Sequence, residues 1–428
     1  MKQNTSERCF WTYWTALTVS AVGDGVSVVA LPIIAVKSLH ATAFGTSLIV
    51  ASSYAAWLLV GLPAGVWVSR YELQRLQVAL DVCRAMVLVT VPLAGLLGVL
   101  SLAQIVLVAL IVGLASVLHE VSSSVFLPSI VPSETLADRN GWLSGGYAVA
   151  QVSGPSLGGL LVQVVGATAC VLVDVFSYVF SALCLSRLPR LGRLEEPTRE
   201  RLSEALLEGV AFVRKSPGLV SSCRILVSLN LACGGVQALA PVFLLRTLHQ
   251  PSVAVGILLG TEGAGAALGA MLSVWLSRRL SLRLSSAVFS LTSAVGIFCI
   301  SMTHPGRLII LFALGNILLG IGLAGVSTVL RTYRQMTTPA ALLPRVMATV
   351  RFASWGALPI GALMAGGLTL WLGISSTLMF LSIVGSAAAA FATVGGFDIG
   401  DPVIPDTRVQ DQRRRHEEAL AARDDSSG

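Results

Sequence analysis

Four acidic residues lie within long apolar stretches of this sequence: Asp24, Glu120, Asp174 and Glu262. A charge at the centre of a bilayer costs roughly 2.5–3.5 kcal/mol on insertion scales. If these stretches cross a membrane, each acid is therefore a candidate for substrate or proton handling. A structural hydrogen bond to a neighbouring helix is the alternative for each of them.

The four acids differ in position. Asp24 lies mid-stretch, where desolvation disfavours the charged form of a carboxyl group, so it could bind and release a proton near neutral pH or pair with a cationic substrate. Glu262 follows Thr261 among glycines and could set specificity. A structural role is favoured for Asp174. Glu120 lies near the end of its stretch. We expect it either to form a gate-latching ion pair with Arg139 or Arg70, or to be a partly solvated charge at the end of the helix.

The composition indicates that these stretches cross a membrane. Of 428 residues, 54% are hydrophobic and 12% charged, against roughly 25% charged in soluble domains, and the mean hydropathy is +0.80. A spanning helix needs about 20 apolar residues. Twelve runs reach that length, and we number them as spans one to twelve: 9–36, 44–68, 77–100, 103–126, 141–165, 167–187, 221–245, 252–277, 284–303, 307–330, 346–369 and 371–394.

The basic residues predict an orientation. With both termini in the cytoplasm, all 29 lysines and arginines except Lys37, Arg246 and Arg307 fall on the cytoplasmic side, as the positive-inside rule requires. We therefore predict a multi-pass protein of the bacterial plasma (inner) membrane. The net charge of +7 lies in turns and does not indicate nucleic-acid binding. The seven cysteines are scattered, so neither a metal site nor a cofactor is predicted.

The two halves of the chain repeat one another. Val66–Arg70 returns as Val274–Arg278 with four of five positions identical, and Pro155 in span five is matched by Pro359 in span eleven. Parallel repeats predict two six-helix bundles with a substrate site between them near mid-bilayer. The predicted units are a first bundle (1–187), a cytoplasmic linker with an amphipathic helix (188–220), a second bundle (221–394) and a disordered cytoplasmic tail (395–428).

Several motifs resemble the major facilitator superfamily, in particular its branch of drug and siderophore exporters, which includes macrolide efflux proteins and the enterobactin exporter. Gly23-Asp24-Gly25 in span one is similar to that branch, and the turn 65–75 resembles the superfamily's loop between spans two and three. Span five resembles its antiporter signature at five positions: Gly141, Gly154, Pro155, Gly158 and Gly159. The resemblance implies an all-α fold of twelve spans and proton-coupled export of a small compound by alternating access.

The resemblance also implies a cytoplasmic gate, and the sequence departs from the family there. Ser69 stands where the family has an aspartate, and span four lacks the membrane-embedded arginine of many drug–proton antiporters. Asp81 and Arg84 lie three residues apart on one helix face, so Asp81 could replace the lost acid as the partner of Arg70. The predicted gate residues are Ser69, Arg70, Arg75, Asp81, Arg84 and Arg139.

The predicted function is the export of a small amphipathic compound such as a drug, an antibiotic or a siderophore. The partners are the substrate, protons and the lipid bilayer, and we expect a monomer. A lipid or lysophospholipid flippase, or an uptake facilitator, is the alternative, and no enzyme motif or nucleotide loop is present. Eight polar and aromatic residues are predicted to line the cavity: Tyr54, Trp57, Tyr147, Gln151, Asn230, Gln237, Asn316 and Trp355.

Overall fold

The computed structural model describes residues 2–189, 202–339 and 342–394, and within these ranges the chain is helical and has no β-strand. The twelve predicted spans are confirmed, because twelve of the described helical segments are long and apolar enough to cross a membrane. The spans comprise the helices Lys2–Lys37, Ala43–Val60, Leu73–Leu88 with Thr90–Leu96, Leu102–Ile130, Leu136–Val165, Ala167–Ser186, Pro217–Val242 with the π-helix Phe243–Thr247, Ser252–Ser277, Leu282–Ser301, Ile310–Thr337, Leu343–Leu372 and Ile374–Val394.

The predicted end of span two, at residue 68, is wrong. Span two ends at Val60, and the residues up to Ser69 form a turn followed by a separate short helix, Ala64–Ser69. Pro63 explains the break, because proline lacks an N–H donor and disfavours helical geometry at the residue before it. The equivalent stretch of the second half is the uninterrupted end of the helix Ser252–Ser277.

The spans form two bundles. In the first, span one packs on five and six, span two on four, and span three on four and six. In the second, span eight packs on ten, span nine on ten and twelve, and span seven on eleven and twelve. Two seams join the bundles, span five against eight and span two against eleven. We call the face with the turns 61–72 and 278–281 the terminal face, and the opposite one the far face.

The seam between spans five and eight depends on glycine. A Cβ atom on Gly159 would collide with the backbone of Ser252 and Gly256, and one on Gly256 would collide with Pro155 and Gly159. Small residues of this kind let helix backbones approach closely in membranes. Of the predicted antiporter motif, Pro155 and Gly159 lie at this contact between the bundles, whereas Gly154 and Gly158 pack on span one of the same bundle.

The predicted linker helix is present as Leu202–Lys215, and it packs on spans eleven and seven. Val213 is buried there, and Glu208 forms an ion pair with Arg345 of span eleven. The amphipathic helix of the linker thus docks on the second bundle. Residues 190–201 of the linker and the predicted tail 395–428 lie outside the described residues.

Replacing Gly159 by alanine tests the close seam. Overpacking of this kind typically costs about 1–3 kcal/mol, so we expect Gly159→Ala to lower the thermal unfolding midpoint of the detergent-purified protein. Gly367→Ala is the matched control, because a Cβ atom on this span-eleven glycine meets no atom within 4 Å. Equal midpoints for the two variants would contradict the close contact.

Candidate functional site

Asp24 lies near the middle of span one, about 20 Å along the helix from its far-face end. Its carboxylate accepts a hydrogen bond from the hydroxyl of Tyr178 in span six. The side chain is only half-buried despite this depth. Asp24 therefore contacts the interior of the first bundle through Tyr178, while part of its side chain remains exposed.

A buried arginine lies directly beside this pair. The guanidinium carbon of Arg84 is 4.3 Å from the ring centre of Tyr178, and the charges of Arg84 and Asp24 act on each other. Arg84 also forms an ion pair with Asp81, and the two residues are 2% and 0% exposed. His119 Nε2 of span four lies 3.6 Å from Asp81. Span three thus supplies the membrane-embedded arginine whose absence from span four was noted in the sequence.

Asp174 completes the cluster. It is 1% exposed and accepts hydrogen bonds from Ser27 and from Ser177, the latter at 3.0 Å. Gly23 of span one packs directly on Asp174 and Ser177, and a Cβ atom there would collide with them. We name Asp24, Asp81, Arg84, Asp174 and Tyr178 the polar core.

The polar core holds three carboxyl groups and one guanidinium. Fully ionised, it would carry two uncompensated negative charges in a medium of low dielectric, which is strongly unfavourable. Protons or other cations must offset part of that charge. The arrangement can therefore take up and release protons, provided that Asp24 remains accessible.

A second group of polar residues crosses between the bundles. The Tyr54 hydroxyl of span two donates a 2.9 Å hydrogen bond to Oε1 of Gln237 in span seven. The side chain of Gln237 also lies beside the carboxyl group of Glu262 in span eight. The structure thus brings together three residues that the sequence predicted separately.

Aromatic residues continue this group towards the terminal face. Trp355 of span eleven lies 4.9 Å from Trp57 and 6.4 Å from Tyr54, measured between ring centres. The guanidinium of Arg351 lies 4.2 Å from the Trp57 ring centre and forms an ion pair with Glu120. The predicted partners of Glu120, Arg139 and Arg70, are therefore wrong. Glu120 pairs across the bundles, which a prediction confined to neighbouring turns could not identify.

Of the predicted gate residues, Asp81 and Arg84 form a buried ion pair, whereas Arg75 and Arg139 have partners outside the predicted gate. Arg70 is exposed, Arg75 pairs with Glu72 at 2.9 Å, and Arg139 stacks 4.4 Å from the Phe10 ring centre. Ser69 ends the short helix at the terminal face. Asp81 is buried against Arg84, so the prediction that it replaces the missing acid as the partner of Arg70 is wrong.

The other predicted cavity residues occupy different environments. Tyr147 and Gln151 are exposed on span five, whereas Asn230 donates to the carbonyl of Leu226 within its own helix. Asn316 is 2% exposed, and its amide donates to two carbonyls of span eight. That position favours helix packing for Asn316.

A cavity of about 740 Å³ that is open to the protein surface lies in the terminal half of the first bundle, between spans one and five. Its lining residues include Trp14, Thr18, Gly141, Trp142 and Val149.

At the far face, the bundles are joined by polar contacts. Lys37 donates a 2.8 Å hydrogen bond to Ser252, and Arg246 donates a 3.4 Å bond to the Val36 carbonyl.

Two residues of these groups were not predicted as site residues. Tyr178 was not singled out in the sequence, and Arg351 was counted only among the basic residues of the cytoplasmic side. Arg351 lies eight residues inside its helix, about 12 Å along the axis. That depth was the one signal in the sequence that could have identified it.

Twelve spans in two parallel bundles, with charged residues buried within the bundles and paired between them, define a secondary transporter. The chain belongs to the transmembrane secretion effector family of the major facilitator superfamily, whose profile matches residues 4–412. This family and fold are those of transporters rather than enzymes.

Similar proteins agree with this assignment. The chain is 25% identical to the multidrug efflux pump Tap of Mycolicibacterium fortuitum over 86% of this chain and 91% of that protein. It is 23% identical to the uncharacterised transporter YfiS of Bacillus subtilis, covering 86% and 89%. Crystal structures of the nucleoside transporter NupG (TM-score 0.73, 12% identity, 90% and 98% covered) and of a bacterial homologue of the iron transporter ferroportin (0.68, 18%, 90% and 97%) share the fold.

Removing the buried guanidinium tests the charge balance of the polar core. Breaking a buried ion pair from one side costs about 3–5 kcal/mol, so Arg84→Gln should lower the thermal unfolding midpoint strongly. Adding Asp81→Asn to that variant should recover at least half of the loss, because it removes the abandoned carboxylate. Arg75→Gln, at an exposed ion pair, is the control. An Arg84→Gln variant that unfolds at the same temperature as the wild-type protein would contradict the proposed role of Arg84 in balancing the charges of the polar core.

Proposed function

We propose that this transporter exports a small amphipathic compound (a drug, an antibiotic or a siderophore) by alternating access, in exchange for protons. The observation that carries the proposal is the half-buried carboxyl group of Asp24 near mid-membrane, hydrogen-bonded to Tyr178 and facing Arg84. The multidrug efflux pump among the similar proteins supports export as the direction.

Protons are the proposed coupling ion because the polar core is short of positive charge. Its three carboxyl groups face one guanidinium, and a proton is the cation that a carboxyl group can hold without a coordination shell. No group of three or more His, Cys, Asp or Glu side chains in the described residues is placed to hold a metal ion. A proton arriving at Asp24 would weaken its attraction to Arg84.

Alternating access is supported by the polar contacts that join the two bundles. Hydrogen bonds at Lys37 and Arg246 join them at the far face, and the ion pair of Arg351 with Glu120 joins them towards the terminal face. Polar contacts that can break at one face while others form at the opposite one suit a rocking motion of the two bundles.

We further propose that the terminal face is cytoplasmic and that the membrane is the bacterial plasma membrane. The distribution of lysine and arginine over the turns supports this orientation. Substrate would then enter the cavity of the terminal half from the cytoplasm. The bundles and the linker keep the predicted bounds in this proposal, except that span seven starts at Pro217.

Replacing Asp24 by asparagine tests the coupling. In an efflux-deficient host, a panel of structurally diverse toxic compounds should identify at least one whose accumulation the wild-type protein lowers. We expect an uncoupler to abolish that effect, because collapse of the proton gradient removes the driving force. Asp24→Asn should abolish it without loss of the protein from the membrane, because the amide cannot carry the proton.

The matched control is Glu134→Gln, at an exposed acid in the turn before span five, which should export as wild type does. Undiminished export by Asp24→Asn would overturn the role of this residue. Transport that persists after collapse of the proton gradient would favour a lipid flippase or a facilitator instead.

Labelling of single cysteines tests the orientation. In a cysteine-free background, His304→Cys at the far-face turn should react with a membrane-impermeant maleimide in intact cells. Glu134→Cys at the terminal face should react only after the cells are permeabilised, because the maleimide can then enter the cytoplasm. The reverse pattern would refute the proposed orientation.

A further inference from the structure

The contact between Arg351 and its neighbours has the form of an occupied binding site. The guanidinium lies 4.2 Å and 5.4 Å from the ring centres of Trp57 and Trp355, and it forms an ion pair with Glu120. Two indole faces and a carboxylate are the groups that recognise organic cations in proteins. We name Trp57, Trp355 and Glu120 the aromatic cage.

The aromatic cage is assembled from both bundles. Trp57 comes from span two and Glu120 from span four, whereas Trp355 and its occupant Arg351 come from span eleven. Gly356 lets span eleven approach Leu58 closely, since a Cβ atom there would collide with that side chain. The cage is therefore complete only while the two bundles are in contact at this seam.

The indole of Trp57 in the cage is packed in place, whereas Arg351, which occupies the cage, and the carboxylate of Glu120 are accessible from outside the protein. Trp57 is 6% exposed and packs with Ala56, Val60 and Val117. By contrast, the side chains of Arg351 and Glu120 are 41% and 50% exposed. A long, flexible arginine side chain that is part-exposed can leave the cage without disturbing the packed indole of Trp57.

We propose that the aromatic cage binds the cationic part of the transported substrate, a planar organic cation with an apolar body, and that Arg351 fills the cage when substrate is absent. This inference rests on the proposed transport function. A neutral compound would lack the charge needed to replace a guanidinium beside Glu120, and an anion would be repelled by it. A planar cation matches the way in which a guanidinium stacks on aromatic faces.

Displacement of Arg351 also has a conformational consequence. The Arg351–Glu120 pair joins the second bundle to the first, 231 residues apart in sequence. A cation bound to Glu120 breaks that link and releases span eleven. Beyond the cage, Tyr54 and Gln237 lead to the carboxyl group of Glu262, so a cation that moves deeper meets a second acid.

Binding of ethidium to the purified full-length protein in detergent tests the inference. We expect fluorescence anisotropy to show about tenfold tighter binding to Arg351→Gln, equivalent to about 1.4 kcal/mol, because the variant removes the competing cation. Glu120→Gln and Trp57→Leu should each weaken binding at least tenfold. Arg345→Gln, a variant of the span-eleven arginine that pairs with Glu208, is the control and should bind as wild type does.

Unchanged or weaker binding by Arg351→Gln, or unchanged binding by Glu120→Gln, would overturn the inference. Glu120→Gln keeps the size of the side chain, so the test stands even if Trp57→Leu fails to fold. The assay needs no proton gradient, which separates the two proposals. Cation binding without export would overturn only the proposed function, whereas proton-driven export of the neutral compound chloramphenicol without ethidium binding would overturn only the cage.

Discussion

The guanidinium of Arg84 determines how the first bundle holds its charges. It is buried in span three, pairs with Asp81 and lies over the ring of Tyr178, whose hydroxyl in turn donates to Asp24. In a low-dielectric interior, an unpaired carboxylate is far more costly than a paired one. One fixed positive charge among three acids therefore makes the protonation of the remaining carboxyl groups part of the stability of the bundle.

The two bundles differ in their buried charged residues, although their spans repeat in sequence. The first contains the polar core, whereas the buried arginine of the second, Arg334 in span ten, donates to the hydroxyl of Ser222 at 3.1 Å. Glu262 of the second bundle instead meets Gln237 at the seam with the first. We therefore propose that protons are handled inside the first bundle and that the substrate is recognised between the bundles. Their connection would run through span one, which carries Asp24.

The sequence was sufficient to predict the fold because a bilayer imposes a minimum length on every apolar run. It also made Asp24 and Glu262 candidate site residues, since an acid deep in such a run stands out by its position. It could not predict the partners. Hydropathy gives the depth of a residue but not the direction in which its side chain points, so Arg84 was assigned to a surface gate and Glu120 to a neighbouring turn. The break at Pro63 was lost for a similar reason, because the short helix after it is as apolar as the span before it.

The most direct test of proton-coupled export is the count of protons that the purified protein releases when it binds a compound identified by the resistance panel. In weakly buffered detergent solution with a pH-sensitive dye, the wild-type protein should release protons in proportion to the compound bound, whereas Asp24→Asn should release fewer. Binding of the compound with no release of protons by the wild-type protein would contradict the coupling of substrate to the polar core.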